Sequence, residues 1–133
     1  MDVDNEAQPT FPALKTQDQL LTAFVNAANN HGLELSVTLT VKGVVVSGTL
    51  ISAKQFLREL GSITKGAKGN AAEAFGNAFE QLADDISETA QASYIHLRNA
   101  RICAPGQAPM PAEGSLWRGS LASVDGWYLG ELR

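Results

Sequence analysis

The stretch LELSVTLTVKGVVVSGTLIS, Leu33 to Ser52, decides the fold. Leu33, Leu35, Val37, Leu39 and Val41 alternate with Glu34, Ser36, Thr38 and Thr40. Successive side chains of a strand point to opposite faces, so this pattern is a strand with one buried side. Lys42-Gly43 reads as a two-residue turn, and the return strand runs from Val44 to Ser52. That turn sets Val41 opposite Val44, Leu39 opposite Val46 and Leu35 opposite Leu50, so the apolar sides coincide. Gly48 falls opposite Val37, where the missing side chain permits a sharp bend.

Upstream of this hairpin, Thr16 is the expected cap of a helix and Asp18 lies in its first turn. Leu20, Leu21, Phe24, Val25 and Ala28 form one apolar stripe, and Asn29, Asn30 and Gly32 end the helix. Residues 1–15 carry Asp2, Asp4, Glu6, Pro9 and Pro12 without a sustained period, and read as a flexible tail. A single α+β domain then spans 16–133.

Downstream, Ser52 and Gln55 spell a capping box for a short helix through Leu60, with Phe56, Leu57 and Leu60 on its apolar face. Gly61 to Gly69 is a Gly/Lys-rich connection. Asn70 and Glu73 are the expected caps of a second helix to about Ala92. Ala71, Phe75, Ala78, Phe79, Leu82 and Ile86 line one side of it. A third strand follows from about Ser93 to Cys103, with a bulge near Asn99-Ala100 where alternation falters. Ala104 to Gly114 is a Pro/Gly loop, and Leu116 to Val124 is a fourth strand. Asp125-Gly126 reads as a hairpin turn into a last strand, Trp127 to Leu132. The expected architecture is a small, strongly bent antiparallel sheet or an Sm/SH3-like barrel of about five strands. An N-terminal helix leads it, and residues 53–92 are a helical insertion between the second and third strands.

Hydrophobic residues make up 44% of the 133 and charged residues 18%, which suits a globular domain with a real core. The net charge of -4 disfavours nonspecific binding to polyanions. Cys103 is the single cysteine, so no internal disulfide is possible. Met1 to Pro9 lacks the order of a signal peptide, and no stretch approaches the ~20 apolar residues of a membrane span. The expectation is a soluble, cytoplasmic protein.

Three runs have a familiar look: VSGTLISAKQF (Val46 to Phe56), YIHLRNARIC (Tyr94 to Cys103) and LWRGSLASVDGWYLG (Leu116 to Gly130). In that order and spacing, and with FVNAANNHGLELSVTLTVKG (Phe24 to Gly43) before them, they resemble the gas vesicle accessory protein U (GvpU) family. The resemblance implies a non-catalytic accessory role in gas vesicle assembly or clustering. It implies gas vesicle proteins or the vesicle surface as partners, homo-oligomers, no cofactor and no membrane. The location implied is cytoplasmic, in association with gas vesicles. No extended polar tail follows Arg133, so an activity that depends on such a tail in relatives is not expected here.

No residue set spells a catalytic, cofactor-binding or metal site. His31 and His96 have no ligand spacing, and Cys103 has no activating base nearby in sequence. The candidate interaction residues are Trp117, Arg118, Trp127, Tyr128, Tyr94 and Arg98. Aromatic and arginine side chains dominate interface hot spots, and adjacent Trp127 and Tyr128 point to opposite faces of one strand. The rival reading is an Sm-like nucleic-acid-binding barrel, with Arg98, Arg101 and Arg118 beside Trp117 and Tyr94. The pI of about 5.0 favours cross-strand ion pairs for these arginines instead, so nucleic acid is not an expected partner.

Overall fold

The computed structural model describes residue 9 and residues 18–86 and 92–132. Chain order is α1 (Gln19–His31), β1 (Leu35–Val41), β2 (Val44–Ile51), α2 (Ala53–Lys65), α3 (Ala72–Asp85), β3 (Tyr94–Cys103), β4 (Met110–Ser120), a 3-10 turn (Leu121–Ser123) and β5 (Val124–Leu129). The strands form one antiparallel sheet in the order β4-β3-β2-β1-β5.

The β1–β2 hairpin has the expected register, with Val41 on Val44, Leu39 on Val46 and Leu35 on Leu50. Lys42 and Gly43 both take positive φ, 51° and 85°, the backbone that matches strand twist in a two-residue turn. The expected bulge in β3 is also present: pairing with β2 jumps from Ser47–Arg101 to Thr49–Arg98, and Asn99 takes a φ of 56°. Gly48 faces this bulge. A Cβ there would lie 2.9 Å from the Arg98 carbonyl oxygen, so the close approach of the two backbones requires glycine.

One face of the sheet carries the core. Val37, Leu39, Val46, Leu50, Ile95, Leu97 and Ala100 pack there against Leu21, Val25 and Ala28 of α1, with Leu121 of the 3-10 turn. Leu20, counted in the α1 stripe, is exposed instead. Asp18 caps α1 by accepting from the backbone N–H groups of Leu20 and Leu21, and Gly32 closes it in the left-handed region. Thr16, the expected cap, lies outside the described residues, as do 87–91 of the expected second insertion helix.

Several expectations are corrected. β4 begins at Met110, and the turn after it is Leu121–Ser123 rather than Asp125-Gly126. Asp125 and Gly126 lie inside β5, which pairs with β1 and not with β4. The Asp-Gly pair marks a register shift at Thr40/Val41, and the Asp125 carboxylate accepts from the Lys42 N–H at the β1–β2 turn, 2.8 Å away. Among the described residues β4 and β5 share no ladder, so the sheet is open, neither closed into a barrel nor strongly curled. The chain instead turns at Gly130 onto the second face of the sheet. There the Thr38 hydroxyl donates to the Gly130 carbonyl and Leu132 N–H donates to Ser47 Oγ.

The helical insertion between β2 and β3 is present. Ser52 Oγ accepts from Gln55 N–H, while the Gln55 side chain turns to Glu59 rather than back to the cap. α2 runs past Leu60 to Lys65, and α3 starts after Ala71 without a side-chain cap. The buried positions of α3 are Ala72, Gly76 and Ala83, while Phe75 and Leu82 are 58% and 51% exposed. The reason lies across the hairpin: a Cβ on Gly61 would meet the Gly76 carbonyl oxygen at 2.8 Å. The two helices approach backbone to backbone at Gly61 and Gly76, with the Glu80 and Lys65 side chains lying over the glycines.

Candidate functional site

The second face of the sheet holds the densest group of candidate residues. Tyr94, His96 and Arg98 alternate along β3 and all point to this face, and Arg118 of β4 pairs across from His96. Phe56, one turn into α2, lays its ring on the His96 imidazole with centroids 4.6 Å apart. Arg118 Nε donates to His96 Nε2 at 3.2 Å, so the imidazole proton sits on Nδ1. The Arg118 guanidinium covers the Tyr94 ring, 3.8 Å from its centroid. The result is a column, Phe56–His96–Arg118–Tyr94, that starts under α2 and ends in solvent.

His96 is 6% exposed. Burial, and then the neighbouring Arg118 charge, push its pKa down to about 4, so it is neutral near neutral pH. Arg98 stands beside the column and binds Glu59 of α2 at 3.0 Å and Glu34 at 3.3 Å. Burial works against the Arg98 charge, but hydrogen bonds to Glu59 and Glu34 outweigh it and its pKa is raised. Phe56–His96 and Glu59–Arg98 together fasten α2 to the sheet.

The other candidates are placed elsewhere. Trp127 is half-buried on the core side, where its Nε1–H donates to Asp18 at 2.8 Å and its ring meets Phe24 edge-on at 5.7 Å. This hydrogen bond, followed by those from Leu21 and Leu20 N–H, holds the Asp18 carboxyl below its usual range against the opposing effect of burial. Trp117 is half-buried against the core, its ring lying over Gly119. Tyr128 is exposed on β5, opposite Thr38, and stands apart from the column by the width of β1 and β2. The three arginines do not make an open basic patch: Arg98 is paired with glutamates, and Arg101 donates to the Ala112 and Asn99 carbonyls.

Of the six candidates, the structure thus brings together Tyr94, Arg118 and Arg98, and leaves Tyr94, Arg118 and Tyr128 facing solvent. The sequence reading missed Phe56 and Asp18 as partners of these residues. The period of two over Tyr94, His96 and Arg98 was the available signal for the column. Among the described residues, no group of three His, Cys, Asp or Glu side chains is placed to hold a metal.

A family model described as gas vesicle protein GvpU-like matches residues 18–132. The chain belongs to the GvpU-like family. The match runs from the α1 cap through β5, so it takes in the column, the hairpin and both edge strands. No curated protein and no solved structure matches the chain. Among the described residues, no helix of this GvpU-like protein is long and apolar enough to cross a membrane.

Proposed function

We propose that this GvpU-like protein is a non-catalytic accessory protein that acts through protein–protein contacts in gas vesicle assembly or clustering. Family membership over residues 18–132 is the observation that carries the reading. It works in the cytoplasm on gas vesicle proteins or the vesicle surface, and needs no cofactor. The contact surface is the solvent end of the second face, where the Tyr94–Arg118 stack stands, together with Tyr128. An aromatic ring already covered by a guanidinium is rigid, and rigid aromatic anchors lose little entropy on binding. Trp117, Trp127 and Arg98 support this surface from behind or beside it.

The test is co-flotation of purified variants with intact gas vesicles. Tyr94→Ala/Arg118→Ala and Tyr128→Ala are expected to reduce the bound fraction while circular dichroism stays native. Unchanged flotation of both folded variants, with wild type bound, removes this surface from the reading.

A further inference from the structure

The apolar stripe on α3 faces solvent among the described residues, with the Phe75 ring meeting that of half-buried Phe79, one turn on in the same helix, at 6.3 Å. At about 100° per residue, α3 divides into three sides. Ala72, Gly76 and Ala83 face α2. Glu73, Glu80 and Asp84 form a charged side, where Glu80 binds Lys65 and Asp84 binds Arg58. The third side carries Ala71, Phe75, Ala78 and Leu82, all exposed. Exposed apolar side chains at one-turn spacing on a helix otherwise laced with ion pairs mark an interaction face.

Two further features concern the ends of the same helix. Its N-terminus has no side-chain cap, so its first amide groups lack a side-chain acceptor from Ala71. Its C-terminus carries Asp84 and Asp85 with no base in the last turn. Carboxylates at that end oppose the helix dipole. Asp84 pairs with Arg58, while Asp85 accepts from the Gln81 side chain at 3.4 Å and has no ion pair among the described residues.

We propose that this face pairs with its own equivalent on a second copy of the chain, α3 against α3 in antiparallel orientation. The stripe is self-complementary. Setting Phe75 opposite the second copy's Ala78 also sets Leu82 opposite its Ala71, so each large side chain meets a small one, by symmetry on both sides. The same register carries Asp85 to the second copy's uncapped α3 N-terminus, where exposed Lys68 lies in the turn. An anion there is favoured by the dipole and by Lys68, so the two ends of the helix complement each other across the pair. Glu80 and Asp84 stay on the far side, held by Lys65 and Arg58, with Glu73 on the same side. This pairing is independent of the vesicle-binding surface, which stands on the sheet, and it would present that surface twice.

Light scattering on size-exclusion fractions of the full chain tests the pairing, because dimer population follows protomer concentration. The expected mass at about 100 μM is twice the 14.1 kDa of the chain. Phe75→Ser/Leu82→Ser should weaken dimerisation by at least about 100-fold with native circular dichroism, since four buried apolar side chains are lost per dimer. Asp85→Lys should weaken it roughly tenfold, and adding Lys68→Asp should restore most of the loss. A monomeric wild type, or a dimer that ignores Phe75→Ser/Leu82→Ser, overturns the proposal and leaves the face to a different partner. A dimer as tight with Asp85→Lys as without it overturns the antiparallel register.

Discussion

The core face of the sheet and the α2–α3 hairpin close their interiors with opposite kinds of side chain. Under α1, Val37, Leu39, Val46, Leu50, Ile95 and Leu97 fill the space, each at most 1% exposed. Between α2 and α3 the backbones meet at Gly61 and Gly76, the other buried positions of α3 are Ala72 and Ala83, and the Lys65–Glu80 and Arg58–Asp84 pairs join the helices outside. Large branched side chains remove much apolar area from water, so the first region supplies most of the stability. Close backbone approach buries little area but leaves the large residues of α3 free to face outward. One region buries its large apolar side chains, and the other leaves Phe75 and Leu82 exposed.

The strongest way to break this contrast is Leu50→Ala. Its side chain is fully buried among β-strand neighbours, so a loss of about 3–5 kcal/mol in chemical denaturation is expected. Acid comes next, through His96 on the opposite face. Its folded pKa of about 4 lies below the ordinary 6.5, so between these values the unfolded chain binds the proton and the folded chain does not. Stability is therefore full above about pH 6.5 and falls towards pH 4, by about 3 kcal/mol over that window. Replacing His96 with Gln should flatten that part of the pH profile, and an unchanged slope would assign it to the carboxylates instead.

Gly76→Ala sharpens the comparison. Its Cβ would sit 2.8 Å from the Gly61 carbonyl oxygen, and the nearby Lys65 side chain can move while the backbone must shift. A cost of about 1–3 kcal/mol is expected, read by hydrogen exchange as faster opening of α2 and α3 with the sheet amides unchanged. Asp18→Ala removes the α1 cap and the Trp127 hydrogen bond together, for about 1–2 kcal/mol in thermal or denaturant unfolding. Phe75→Ser is the smallest effect: in the monomer, at low concentration, stability should stay within about 0.5 kcal/mol of wild type.

The β1–β2 hairpin was legible because a period of two leaves little freedom. Shifting β1 by one residue would turn Val37 and Leu39 to the wrong face, so the alternation and the Lys42-Gly43 turn together fixed the register with β2. The bulge at Asn99 was legible for the same reason, as a break in that alternation. The two insertion helices were legible, but the side of α3 that packs on α2 was not, because an apolar stripe on a helix looks the same whether it is covered or exposed. Phe75 and Leu82 outweigh Gly76 in any hydrophobicity reading, yet the glycine decides which side α2 can approach. Asp125-Gly126 misled in a related way: the pair suits a tight turn and also suits the irregularity it makes in β5 beside Thr40. Strand order followed from contacts between β5 and β1 that are distant in sequence, and local pattern does not encode them. Of the candidate site residues, Trp127 and Trp117 lie half-buried against the core, where a large ring at a strand position serves a core and an interface equally well.

The most direct test of the functional account is flotation of the wild-type chain with intact gas vesicles, followed by light scattering of the floated layer. The account predicts that the protein rises with the vesicles, and that scattering grows if its action is to bridge them. Protein that stays in solution beside vesicles of its own host would contradict vesicle-surface binding.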